Sequence, residues 1–233
     1  TREFIEEAIN ERGKETPFGY VTTDQDGKET DSTGTFAASL YLAGPTWDAI
    51  GEVVVAARVA MGWLKKVASL VAAEGHPVTW LTADGFPVQQ AYYDSKMNRV
   101  QLLLSGVRVD LVIREELPTI SKRRQEQGVS PNFVHSCDGT ALRMYVNTAT
   151  ANGIDSFALV HDSFGTVAAD YEMMQACLRA AFVDLYQQHD VMEELRDSVH
   201  ALLPETSQAQ LPAVPPKGTL DLEAVKQSDF FFA

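Results

Sequence analysis

Apolar residues recur at helical spacing through the first third of the chain, switch to every second position near Pro77, and return to helical spacing after Gly128. Residues 1–12 put Phe4, Ile5, Ala8 and Ile9 on one side of a short amphipathic helix ending near Gly13. Residues 13–34 are rich in Gly, Thr and Asp, have no periodicity, and read as a surface loop. A helix over Thr35–Ala43 is broken by Gly44-Pro45, and Pro45 opens the next helix, where a missing amide is harmless. That helix carries Trp47, Ile50, Val54, Ala57, Met61, Leu64 and Leu70 as far as Glu74. A stripe this wide predicts core scaffold.

Two hairpins follow. Val78–Thr82 and Phe86–Gln90 flank Asp84-Gly85, a two-residue hairpin signal, and Pro87 places its strand at an edge. Asp84 invites a reading as a catalytic acid, but turn formation accounts for it. Residues 98–113, NRVQLLLSGVRVDLVI, form the second hairpin about Ser105-Gly106. With that loop Leu104 faces Val107, Leu103 faces Arg108, and Gln101 faces Asp110. One face is then Val100, Leu102, Leu104, Val107, Val109 and Leu111, wholly apolar. The other carries Arg99, Gln101, Leu103, Arg108 and Asp110. Arg can fork onto guanine, Gln onto adenine, and Asp can accept from cytosine, so this face suits base edges in a major groove. The plain alternative is a surface hairpin with one wet face.

Ser121-Lys122-Arg123-Arg124 reads as a solvated helix end. Ser130 is the expected N-cap, and Pro131 the first residue, of a helix running to about Ala151. Phe133, Val134, Cys137, Leu142 and Tyr145 lie on or near its apolar face; His135 lies near it and alone reads as a core histidine. Two apolar runs, Ile154–Val160 and Phe164–Ala168, then flank His161, Asp162 and Ser163, predicting strand, tight polar turn, strand. A hairpin on buried strands can hold one carboxylate rigidly, which is what a catalytic metal ion requires. Ordinary turn formation by Asp and Ser is the simpler account. Asp170 caps a helix through Met173, Met174, Cys177, Leu178, Ala181, Phe182 and Leu185, with the methionines as core filler. A further helix starts at His189-Asp190 and ends before Pro204, and residues 204–218 form a Pro-rich extended connector.

Composition narrows the class. Hydrophobic content of 45% with 22% charged residues is that of a globular domain. A net charge of -13 argues against indiscriminate coating of nucleic acid but leaves room for a local basic channel. Lys96 through Arg124 hold seven Lys or Arg against three Asp or Glu, whereas Asp170 through Glu205 hold eight acidic against two basic residues. Two distant cysteines, Cys137 and Cys177, suggest neither a disulfide framework nor a zinc site. No signal peptide or membrane span is expected, and a start at Thr1 reads as a piece of something longer.

The wording of several motifs is more specific than their spacing. His161-Asp162-Ser163-Phe164-Gly165, preceded by Ser156-Phe157-Ala158-Leu159-Val160, resembles the second metal-binding carboxylate motif of single-subunit, bacteriophage-type DNA-directed RNA polymerases. Thr82-Ala83-Asp84-Gly85-Phe86-Pro87-Val88 is similar to the same family, as are Pro131 to Ser136 (PNFVHS), Asp138-Gly139, Leu142-Arg143 and the aromatic ending Phe230-Phe231-Phe232-Ala233. Gly165 after Phe164 favours the phage branch over the organellar one.

The resemblance implies an α+β fold: a helical fingers-type segment, a β-hairpin recognition loop, and the second half of a polymerase palm with its catalytic Asp on a β-hairpin. It divides the chain into residues 1–76 (fingers side), 77–129 (hairpin region with the promoter-recognition loop), 130–203 (C-terminal half of the palm) and 204–233 (connector and C-terminal foot). It implies that Arg99, Gln101, Arg108 and Asp110 read the promoter, with Asp110 standing where an amide is usual. His135 would lie by the incoming ribonucleotide and its 2′-hydroxyl, and Phe232 and Ala233 would fold back beside the active site. Asp162 would be a metal ligand, with His161 beside it as a further catalytic residue. Nucleotidyl transfer in this family needs two Mg²⁺ ions, and their second carboxylate ligand is expected upstream of this chain. The implied partners are double-stranded promoter DNA, the template strand, nascent RNA, ribonucleoside triphosphates and the upstream part of the polymerase, with no membrane. The implied location is the cytoplasm of a phage-infected bacterium, and the isolated fragment is expected to be inactive. A rival reading is a non-catalytic, sequence-specific DNA-binding module using the 98–113 hairpin. A metal-dependent phosphohydrolase on Asp162 and His161 is weaker, because no neighbouring carboxylate cluster supports it.

Overall fold

Helices and four separate two-stranded antiparallel sheets make up the chain in a computed structural model that describes residues 20–23, 29–32, 35–228 and 230–231. This is an α+β chain, and it divides into two compact units, Thr1–Val59 and Ala60–Ala233. The expected helix over 1–12 lies outside the described residues.

In the first unit the stretch expected as loop contains a short ladder, β1 (Tyr20–Thr23) paired with β2 (Glu29–Ser32), with Tyr20 opposite Ser32. Thr and Val suit a pleated strand even without apolar alternation, so periodicity gave no sign of it. Helix α1 spans Thr35–Val53 with Pro45 inside it, which corrects the expected break at Gly44-Pro45. The residue before a proline resists helical geometry through its Cβ, and Gly44 has none. Trp47 and Ile50 are about half exposed among the described residues, so the core-scaffold expectation fails for this part of the stripe.

The second unit has two apolar clusters bridged by one long helix. Helix α2 (Val55–Ala73) gives Trp63, Leu64, Val67, Ala68 and Val71 to the first cluster, where they meet Val78 and Trp80 of the first hairpin and Val129 and Phe133. Helix α3, Lys122–Ala151, runs 30 residues, about 45 Å at 1.5 Å per residue. Its far end gives Tyr145 and Ala149 to the second cluster, with Met174, Cys177, Leu178 and Ala181 of helix α4 (Tyr171–Gln188). Pro131 was expected to start this helix and instead lies inside it, with Ser130 buried rather than capping. Burial on both sides of the proline, at Val129 and Phe133, holds the helix through the lost amide.

Three smaller expectations also change. Asp170 precedes α4 without capping it, because a 3₁₀ turn over Ala168–Asp170 leads in; Asp190 does cap helix α5 (Val191–His200), accepting from the Glu193 amide at 3.2 Å. Met174 is buried but Met173 is exposed, since successive helical residues point about 100° apart and only Met174 faces the cluster. The connector folds into a one-turn helix α6, Glu205–Gln208, and is strapped to α2: Trp63 Nε1 donates to the Pro212 carbonyl at 3.1 Å. No helix among the described residues is long and apolar enough to cross a membrane.

Candidate functional site

Asp162 stands exposed at the tip of a hairpin whose strands, β7 (Ala158–Val160) and β8 (Ser163–Gly165), pair Val160 with Ser163 and leave His161 and Asp162 as a two-residue turn. His161 is also exposed and takes a positive φ of 52°, the backbone such a tight turn needs at its first position. The paired strands are shorter than expected, and they are not buried: Leu159 and Phe164 are half-buried, Ala158, Val160 and Ser163 are exposed, and Ile154, although 2% exposed, precedes the ladder. One face of the hairpin sits on Tyr145 of α3. Phe157 and Phe164 meet its ring nearly edge-on, with centroids 6.0 and 5.3 Å away. Burial pushes the Tyr145 hydroxyl's pKa up, so the phenol stays neutral. The carboxylate is therefore presented to solvent from a turn whose root is fixed in an apolar cluster.

His135 lies on α3 ten residues before Tyr145, about 15 Å along the axis. It is exposed, unlike the core histidine that its spacing alone suggests, and it lines an open groove of about 410 Å³ with Trp80, Gln90, Asn132 and Arg143 among others. Asp162 and His161 do not line that groove. The structure thus hangs the two sequence-derived sites on one helix without merging them into one pocket.

One wall of the groove comes from the first hairpin, β3 (Val78–Leu81) and β4 (Pro87–Gln90). Its loop holds five residues, Thr82 to Phe86, not two, because Leu81 pairs with Pro87. Thr82 closes it: the Phe86 amide donates to Thr82 Oγ1 at 3.0 Å and the Gly85 amide to the Thr82 carbonyl at 2.7 Å. Asp84 is indeed a turn residue, but it is also clamped to α3. Both of its oxygens receive Arg143, Oδ2 from Nε and Oδ1 from Nη2 at 2.8 Å, and Arg143 also lies 4.8 Å from the Phe86 ring centroid. The Arg143 hydrogen bonds hold the Asp84 carboxyl well below the usual carboxylate range. Sequence reasoning missed this pair because its members are 59 residues apart.

The second hairpin matches the sequence register: Leu104 opposite Val107, Leu103 opposite Arg108, Gln101 opposite Asp110. Its strands, β5 (Tyr93–Leu104) and β6 (Val107–Ile120), reach well beyond 98–113. The side chains of Arg99, Gln101, Arg108 and Asp110 are exposed, and none of them is held by a hydrogen bond or ion pair among the described residues. The apolar face is also open, with Leu104 at 57% and Val107 at 63% exposure.

At the chain end Phe231 packs on Phe182 of α4, 5.2 Å between centroids, and joins the cluster beneath the Asp162 hairpin. Phe232 and Ala233 lie outside the described residues. Among those described, no group of three or more His, Cys, Asp or Glu stands ready to hold a metal ion.

The model of the DNA-dependent RNA polymerase family matches residues 1–211. Over 211 residues the chain is 40% identical to T7 RNA polymerase of Escherichia phage T7, covering 84% of this chain and 24% of that protein. The DNA-directed RNA polymerase of Enterobacteria phage K11 is likewise 40% identical, with 23% of its length covered. A mitochondrial DNA-directed RNA polymerase of Nicotiana sylvestris is 38% identical over 202 residues, 87% of this chain and 19% of that protein. The chain spans less than a quarter of the length of these curated relatives.

Proposed function

This chain belongs to the phage-type DNA-dependent RNA polymerase family, and from that premise we propose that it is the C-terminal part of a single-subunit enzyme that selects a promoter and adds ribonucleotides by two-metal catalysis. Residues 1–76 are then the fingers side, 77–129 the region of the recognition hairpin, 130–203 the second half of the palm, and 204–233 the connector and foot.

The observation that carries this reading is Asp162, an exposed carboxylate at the tip of a turn whose root is packed on Tyr145. A free carboxylate oxygen is the hard donor that Mg²⁺ takes, so the residue present fits the ion it would share. When bound, Mg²⁺ neutralises charge developing on the attacking and leaving oxygens of phosphoryl transfer. Asp162 contributes one ligand, and the remaining carboxylate is assigned to the upstream part of the polymerase. His161 and Ser163 fix the direction of Asp162 by holding the turn. His135, standing in its open groove, hydrogen-bonds the 2′-hydroxyl that separates ribonucleotides from deoxyribonucleotides. Arg99, Gln101, Arg108 and Asp110 read base edges from a hairpin on which all four stand exposed. Double-stranded promoter DNA, template strand, nascent RNA and ribonucleoside triphosphates are the partners, in the cytoplasm of an infected bacterium.

The test is Asp162→Asn in the complete polymerase. Nucleotide addition is lost while promoter binding survives. Loss of neither function would favour the non-catalytic DNA-binding reading, which needs only the hairpin. Primer extension by the isolated chain with Mg²⁺ would overturn the assignment of a second ligand upstream.

A further inference from the structure

Gln125 is fully buried on α3, and its partners explain an amide in that place. Gln125 Nε2 donates to the Gln90 carbonyl at 2.5 Å, and Gln90 Nε2 donates back to the Gln125 carbonyl and to Gln125 Oε1, both at 2.8 Å. Asn132 Nδ2 donates to Gln90 Oε1 at 3.0 Å and to Tyr92 Oη at 3.1 Å. The Ser121 amide donates to the Tyr92 carbonyl at 2.9 Å, and Arg124 Nη1 to the Tyr93 carbonyl at 3.2 Å. The Tyr92 ring lies on Gly128, where an added Cβ would stand 2.5 Å from Tyr92 Cε2.

All of these contacts gather at the open end of the β5–β6 hairpin, where β5 begins and β6 ends. Beyond them its side chains are largely exposed on both faces. The direction in which Arg99, Gln101, Arg108 and Asp110 point is therefore set at this root. The root also shares a helix with the groove: Gln125, Gly128, Asn132 and His135 fall three or four residues apart on one face of α3, the first and last about 15 Å from each other.

Resting on the reading that the hairpin selects promoter DNA, we propose that Gln90, Tyr92, Gln125 and Asn132, seated on Gly128, are positioning residues that fix the hairpin's angle to the His135-bearing helix and so set which promoter is accepted. They touch no base; they act through the hairpin. Disturbing the root at Gln125 or Gly128, which do not line the His135 groove, shifts promoter choice and leaves nucleotide addition in place.

Gly128→Ala in the complete polymerase tests this without removing any hydrogen-bonding group, because the new methyl displaces the Tyr92 ring while raising helix propensity. Gln125→Leu is the second variant and deletes the buried amide. Gln101→Asp, on the reading face, is the reference. Each is measured for initiation on the cognate promoter against single-base variants, and for extension of a preformed primer–template scaffold that bypasses the promoter. The expected result is a fall in promoter discrimination of about fivefold or more in both root variants, with scaffold extension within about twofold of wild type. Unchanged discrimination in the root variants beside altered discrimination in Gln101→Asp overturns the positioning role and spares promoter reading. No change in any of the three overturns both. A parallel fall on promoter and scaffold also overturns it, marking these residues as general determinants of folding.

Discussion

Arg143→Met keeps the bulk of the side-chain stem and deletes the guanidinium that ties the Thr82–Phe86 loop to α3. The lost contacts are the two bonds to Asp84, a bond from Nη2 to Thr140 Oγ1 at 3.1 Å, one to Thr82 Oγ1 at 3.3 Å, and the face of Phe86. Hydrogen bonds to charged groups reach about 1.5–3 kcal/mol when shielded, and exposed ion pairs about 0–1 kcal/mol. This pair falls between, since the Asp84 side chain is 17% exposed and that of Arg143 is 36% exposed. With solvent screening allowed for, the coupling expected between the two residues is about 1–2 kcal/mol, roughly a fivefold to thirtyfold effect. The assay is a double-mutant cycle of Arg143→Met and Asp84→Asn in the complete polymerase, read by hydrogen exchange at the Gly85 and Phe86 amides. Additive effects, with coupling below about 0.3 kcal/mol, would refute the clamp. The pH dependence has a definite sign. The folded carboxyl titrates below its ordinary 3.8, so its contribution is complete above that value and is lost as pH falls through the depressed one. Wild type and Asp84→Asn should differ from neutrality down to mild acid and converge only in strong acid.

Three further outcomes are expected. His161→Val should open the Ala158–Gly165 hairpin about tenfold more often by hydrogen exchange, and His161→Gly should not, because a φ of 52° is resisted most by a β-branched residue and not at all by glycine; equal effects would contradict the turn geometry. Burial pushes the Cys137 thiol up to about 11, so at pH 8 iodoacetamide should modify it at least about tenfold more slowly than a free cysteine, read by peptide mass; a normal rate would count against that burial. Gln101→Asp or Asp110→Gln should change promoter preference in a library selection and leave elongation on a preformed scaffold intact, and unchanged preference would reject their role in reading DNA.

The hairpins show what the chain's own pattern could and could not convey. The Ser105-Gly106 register was legible residue for residue, because both positions accept positive φ (50° and 81°) and alternation then fixes every pair. A tight polar turn at His161 and Asp162 was legible too, although Ser163, expected within it, pairs with Val160 instead, and of the two turn residues His161 alone takes a positive φ. Asp84-Gly85 carries an equally strong local signal, and Gly85 does take a φ of 81°, but Thr82 and Arg143 stabilise a wider loop. Proline misled twice, at Pro45 as a helix breaker and at Pro131 as a helix start. At Pro45 the preceding glycine lacks the clashing Cβ, and at Pro131 burial on either side outweighs one lost amide. The root of the recognition hairpin could not be read at all, since Gln90 and Gln125 look like surface amides until a separation of 35 residues is closed. The polymerase reading rests instead on wording: motifs around His135 and Asp162 resemble the family more closely than any spacing argument requires.

If Asp162 is a magnesium ligand, local metal-directed cleavage reveals it without relying on activity. Fe²⁺ exchanged for Mg²⁺ in the complete polymerase, with hydrogen peroxide added as oxidant and ascorbate to reduce the Fe³⁺ formed, should generate hydroxyl radicals that cut the backbone near the Val160–Gly165 turn. Added Mg²⁺ should suppress the cut, and Asp162→Asn should abolish it. Cleavage confined elsewhere, or undiminished at this turn in Asp162→Asn, would contradict the assignment.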